Sequence, residues 1–123
     1  MSQVLEALKG QSYISLSTYR KSGAAVATPV WFAESGGRLY ITTTPDAGKA
    51  KRLRNNGGVD FAPCTYNGTV TGQSFHGQGR ILPAGPEAEQ AEKLLQAKYG
   101  LQYRLFNLFM KKSRRIFLEV QPA

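Results

Sequence analysis

Apolar residues recur every second position over long parts of this chain and every third or fourth position over shorter ones. In the first half, Ile14, Leu16 and Thr18 alternate with Tyr13, Ser15, Ser17 and Tyr19. Val26, Thr28, Val30 and Phe32 share a side against Ala27 and Trp31, and Leu39 and Ile41 oppose Tyr40 and Thr42. A period of two puts one set on each face of a strand. The pattern predicts strands from Ser12, over Ala25–Ala33 and over Arg38–Thr43, joined through Lys21-Ser22-Gly23 and Glu34-Ser35-Gly36-Gly37 into a meander. Pro29 cannot donate to a ladder and marks an edge, a bulge or a bend. Val59–Cys64 and Arg114–Val120 repeat the alternation. Between them Thr65–Leu82 reads as a long polar hairpin, rich in glycine.

Helical spacing appears four times. Val4, Leu5 and Leu8 suggest a short lid helix over Ser2–Lys9. Ala47, Ala50 and Leu53 form one side of a helix that Asp46 is placed to cap and that ends on Asn55-Asn56-Gly57-Gly58. Ala88, Ala91, Leu94 and Leu95 make Glu87–Tyr99 the clearest helix, and Tyr103–Met110 suggests another. About six antiparallel strands with glycine-bent hairpins predict a mostly β fold with short helices, a small barrel. The tight joins between the first three strands argue against a parallel βαβ sheet.

At 123 residues the chain is read as one domain, residues 1–123. A cofactor-sized pocket in so small a core is expected to borrow walls from a partner subunit. The longest uncharged stretches are broken by Ser, Thr, Gln and Gly, so none is expected to span a bilayer, and the first residues lack a basic secretory leader. The single cysteine, Cys64, rules out an intrachain disulfide and suits the cytoplasm; it reads as a small buried filler. A net charge of +8 calls for an anionic partner without choosing among nucleic acid, membranes and phosphorylated small molecules.

Candidate chemistry gathers around Thr42–Gly58. Lys49, Lys51, Arg52 and Arg54 crowd the start of a helix, directly after Thr42, Thr43 and Thr44 at a strand end. Free N–H groups at a helix start add to the attraction for an anion, and Lys49 with Arg52 is spaced to close on one phosphate. A solvated surface run and a nucleic-acid contact remain open at this level. Thr28-Pro29-Val30-Trp31 offers a bent backbone and a flat indole to a ring compound, or places a core tryptophan at a barrel corner. His76 is the only histidine and has no recognisable metal partners, so no metal site is expected. Lys111-Lys112-Ser113-Arg114-Arg115 extends an electropositive groove or is plain surface. Dinucleotide and P-loop fingerprints are absent, so any chemistry should come from a bound organic cofactor.

Taken together, Val26-Ala27-Thr28-Pro29-Val30-Trp31-Phe32, Gly37-Arg38-Leu39-Tyr40, Gly48-Lys49-Ala50-Lys51-Arg52-Leu53-Arg54-Asn55 and Ala62-Pro63-Cys64 resemble the small deazaflavin-dependent proteins of the pyridoxamine 5'-phosphate oxidase-like superfamily. The resemblance covers almost the whole chain. It implies a six-stranded antiparallel split β-barrel, the FMN-binding split barrel, assembled as a homodimer with cofactor sites at the interface. It implies a reductase that moves two electrons between the deazaflavin F420 and a small organic substrate. FMN is the alternative cofactor, and a non-catalytic flavin- or haem-binding protein the alternative function. Carried onto this chain, Thr28, Pro29 and Val30 would line the ring, while Thr42, Thr44, Lys49 and Arg52, with Lys51 a further candidate, would hold the phosphate of the tail. Two departures stand out. Asn56-Gly57-Gly58 replaces a helix exit that often carries proline, which is expected to loosen it, and the Gly68–Gly79 segment gives no guide to the substrate side.

Overall fold

The computed structural model describes residues 2–109 and 115–123. Its elements run α1 (Ser2–Leu8), β1 (Tyr13–Tyr19), β2 (Ala25–Trp31), β3 (Ala33–Ser35), β4 (Arg38–Thr43), α2 (Gly48–Asn55), β5 (Gly58–Cys64), β6 (Phe75–Ile81), α3 (Pro86–Tyr99), α4 (Leu101–Phe109) and β7 (Ile116–Pro122). The alternation seen in the sequence becomes the inside and outside of one curled antiparallel sheet. Ile14, Leu16, Leu39, Ile41, Val59, Phe61, Leu118 and Val120 fill its interior. Val4 and Leu8 of α1 and Leu53 of α2 close on the same core. Among the described residues no helix is long and apolar enough to cross a membrane.

The sheet order is β2-β1-β5-β6-β7-β4-β3, antiparallel at every step. Here the structure departs from the meander. The passage expected as one strand over Ala25–Ala33 breaks at Phe32; its first part pairs with β1 and its second with β4, at opposite ends of the order. No ladder joins β2 to β4. Among the described residues seven strand segments result, or six if β2 and β3 are counted as one bent strand. The covalent bend closes the barrel while the β2–β4 seam stays split.

A strand broken at one residue leaves that residue's N–H and C=O outside the ladder, where burial makes them costly unless paired. Helix α3 supplies the partners. The Tyr99 hydroxyl accepts from the Phe32 N–H at 2.9 Å and donates toward the Phe32 and Ser12 carbonyls, at 2.8 and 2.7 Å. Lys98 Nζ donates to the same Phe32 carbonyl at 2.8 Å. Tyr99 belongs to a second apolar layer, in which Leu82, Ala91, Leu95, Tyr103 and Phe117 join α3 and α4 to the outer face of the sheet. Both faces of β7 are therefore covered, which is why Phe117 is buried as well as Leu118.

Two details of α2 differ from the sequence reading. Its N-cap is Ala47, without a side-chain cap, and not Asp46. Its exit is pinned where it was expected to be loose: the Gly57 carbonyl accepts from the Gly79 N–H at 2.7 Å. A Cβ on Gly57 would lie 3.1 Å from the Gly79 carbonyl oxygen, and one on Gly79 would lie 3.1 Å from the Leu53 side chain. The glycines let the helix end press onto β6, so that Leu53 can plug the barrel.

Candidate functional site

β2 is an edge strand, so Pro29 sits where a missing N–H breaks no ladder bond. Beside it lies an open cleft of about 220 Å³, lined by Tyr13, Pro29, Val30, Trp31 and Thr42. Tyr13 and Trp31 face each other across the β1–β2 ladder. Three of the residues named for a ring compound or its tail, Pro29, Val30 and Thr42, thus share one cleft, although Thr42 comes from a strand at the far end of the sheet order. Its hydroxyl donates to the Ile116 carbonyl at 3.2 Å. Trp31 is both wall and packing residue, for its ring stacks on Tyr99 at 4.5 Å between centroids, with planes 12° apart. The two readings of this indole are one arrangement seen from two sides.

Thr28 points to the same side of the strand as Val26 and Val30, opposite Leu16 of β1. Its Oγ1 is buried with no hydrogen-bond partner among the described residues. A hydroxyl so placed costs on the order of 1–3 kcal/mol. It stands on the face of the strand shared with Leu16 and is not among the residues that line the cleft.

On α2, Ala50 and Leu53 face the core and set the directions of the cations. Lys49 and Arg52 are half-buried on one flank, whereas Lys51 and Arg54 are exposed. Burial, and then the charge of Arg52, hold the Lys49 amine below the usual lysine range. Arg52 Nε donates to the fully buried Thr18 hydroxyl at 2.6 Å, fixing the guanidinium against β1. Arg54 reaches back to the Pro45 carbonyl at 3.2 Å. Thr44, half-buried, anchors the turn into the helix by accepting from the Ala47 N–H at 3.1 Å. The structure thus gathers Lys49 with Arg52 and leaves Lys51 outside that pair. A crowded pair of half-buried cations is relieved by an anion between them.

Several polar groups escaped sequence reasoning. Tyr13, read only as an outward strand residue, is a wall of the cleft. His76 has a carboxylate partner: its Nδ1 is 2.9 Å from Asp60, which also accepts from the Tyr19 hydroxyl. Cross-strand register alone creates this contact, because Asp60 stands opposite His76. Arg115 is no surface charge; it is buried and donates to the Tyr103 hydroxyl at 2.9 Å and to Glu92 at 3.0 Å. The rest of the basic run, Lys111–Arg114, lies outside the described residues. Cys64 is buried, which raises its thiol pKa, as a filler's should be.

Among curated proteins no sequence matches the chain. Solved structures do. An F420 reductase is 20% identical and superposes with a TM-score of 0.62 over 97% of this chain and 92% of its own. An FAD-binding protein from Mesorhizobium loti is 14% identical, with a TM-score of 0.74 over 99% of this chain and 87% of its own. A haem storage protein from Vibrio cholerae is 12% identical, with a TM-score of 0.71 over 99% and 89%. At such identities the likeness speaks for the fold, a split barrel. The pyridoxamine 5'-phosphate oxidase family matches residues 1–123, and the chain belongs to that family.

Proposed function

We propose that this protein is a cofactor-dependent oxidoreductase that binds F420 in the cleft along β2 and passes two electrons between it and a small organic substrate. The observation that carries the reading is the cleft along β2 in which Pro29, Val30 and Thr42 come together beside Tyr13 and Trp31. The half-buried Lys49–Arg52 pair and the family membership stand beside it. Thr28, Pro29 and Val30 would line the ring, and Thr42, Thr44, Lys49 and Arg52 would hold the phosphate, with Lys51 further out toward an acidic tail. The bound ring would supply the redox chemistry. The chain's own part is to position it, to exclude water with Trp31 and Val30, and to neutralise its charge.

F420 is preferred to FMN because α2 carries more cations than one phosphate requires. The cleft is open on one side, so the assembly proposed is a homodimer whose second copy completes the wall. Fluorescence titration with F420 and with FMN tests the reading. Micromolar or tighter binding of F420, with FMN weaker, supports it; binding of neither would overturn it, and steep salt-dependent binding to nucleic acid would replace it. Tight binding without reduction of any acceptor would favour the non-catalytic reading, to which the likeness to a haem storage protein gives some weight.

A further inference from the structure

On the other side of the Phe32 bend lies a second open cleft, of about 380 Å³, between the bend and α1. Leu5, Leu8 and Phe32 give it an apolar lining, and Lys9, Glu34 and Lys98 contribute its charged groups. It shares no lining residue with the cleft along β2. Lys98 is an exposed residue whose Nζ turns back to the Phe32 carbonyl and stands 3.5 Å from the centre of the Phe32 ring. The Tyr99 ring is 5.3 Å away. The amine is thus held against an apolar floor, within reach of solvent, beside space for a small group.

We propose that Lys98 is an acylation site, taking a short acyl group from an activated carboxyl donor and seating it against Leu5, Leu8 and Phe32. The neutral amine attacks the donor's carbonyl carbon. A C–N bond forms, the bond to phosphate or thiolate breaks, that group departs with the electron pair, and the amine's proton passes to solvent. The product amide keeps an N–H with which to donate to the Phe32 carbonyl, so the barrel stays closed while the charge over the ring disappears. Burial supports the chemistry by lowering the Lys98 pKa to about 8. About a fifth of the amine is then neutral at pH 7.4, against roughly a thousandth for an ordinary lysine. The titratable groups around it are Lys9 just after α1, Glu34 on β3 and Tyr99 on α3. Glu34 is oriented by the Gly37 N–H, which it accepts at 2.8 Å.

The test is site-resolved labelling of the full chain, with acetyl phosphate in one arm and acetyl-coenzyme A in the other. Mass spectrometry would follow all eight lysines. Lys98 should be acetylated at least about fivefold faster than the exposed Lys21 and Lys93 in one arm or both, the productive arm identifying the donor class. Its rate should begin to level off near pH 8, where half of the amine is neutral, and be flat by about pH 10. A Lys98 rate at or below that of Lys21 in both arms overturns the proposal, as does one still rising tenfold per pH unit at pH 10. Lys98→Arg, which retains a donor for Phe32, should abolish the fast site and leave the others unchanged; a fast site persisting elsewhere would also overturn it. Neither measurement involves the β2 cleft, so failure here leaves the F420 reading standing.

Discussion

The Tyr99 hydroxyl bonds both the N–H and the C=O of Phe32, at 2.9 and 2.8 Å, across 67 residues of sequence. One oxygen thereby satisfies the residue at which β2 turns into β3. Its burial holds the phenol well above the usual tyrosine range, so it remains a donor at any physiological pH. Tyr99→Phe strands the Phe32 amide and should cost about 1–3 kcal/mol, read as a lower urea midpoint with little change in the slope of the transition. A midpoint within error of wild type would mean that Lys98 and solvent suffice to hold the bend.

Thr28→Val separates stability from binding. Replacing the orphaned hydroxyl by a methyl removes a buried group that lacks a partner. The ligand-free protein should gain up to about 1 kcal/mol while affinity for F420 falls about tenfold. Thermal melts with and without cofactor give both numbers. Destabilisation of the ligand-free form would reveal a partner for this oxygen and remove Thr28 from the proposed ring contacts.

Lys49→Ala combined with Arg52→Ala should weaken cofactor binding by about 2–4 kcal/mol if both contact one buried phosphate. Arg52→Ala alone also uncovers the Thr18 hydroxyl, so its fold stability should drop where that of Lys49→Ala does not. Isothermal titration together with chemical denaturation distinguishes the two effects. Unchanged affinity in the double variant rejects the phosphate assignment.

Glu119 supplies a pH dependence. Burial raises its pKa, but hydrogen bonds from Arg80 at 2.9 Å and Tyr40 at 3.0 Å, with the charges of Arg80 and Arg38, leave it below the usual carboxylate range. A depressed folded pKa contributes stability that is fully present above the unfolded value and is lost as pH falls through the folded one. The gap in unfolding free energy between wild type and Glu119→Gln should therefore be largest near neutrality and close below about pH 4. A gap that stays constant from pH 7 to pH 3 would show that charge plays no part.

Gly77→Ala tests the closest strand contact. A Cβ there would lie 2.7 Å from the backbone oxygen of Gln121, so β6 and β7 must separate to admit it. A loss of about 1–3 kcal/mol is expected, with earlier hydrogen exchange along β7 than along β1. Exchange that accelerates uniformly would point to a global effect instead.

The strand faces could be read from the sequence because a period of two survives wherever one face is buried. Ile14, Leu16, Leu39 and Ile41 all lie where the alternation puts them. The break at Phe32 could not, since its cause is a hydroxyl and an amine on a helix far along the chain. Alternation even continues across it, Val30 and Phe32 both facing the core. Of the candidate site, the pairing of Lys49 with Arg52 followed from helical spacing and the placing of Pro29 from its missing N–H. Tyr13 and the Asp60–His76 contact depend on which strands become neighbours, and spacing within a strand carries no record of that. Arg115 misled in a different way: a charge beside other charges reads as surface until Glu92 and Tyr103 fold over it.

The bent passage from Ala25 to Ser35 supplies both terminal strands of the sheet, which gives mutations there an unusual reach. Damage at Phe32 would strip the protection from two strands in a single event and deform Trp31 in the same movement. Misfolding of this chain should accordingly begin with paired exposure of β2 and β3, and a peptide copying either segment should poison refolding more effectively than one copying β5 or β6.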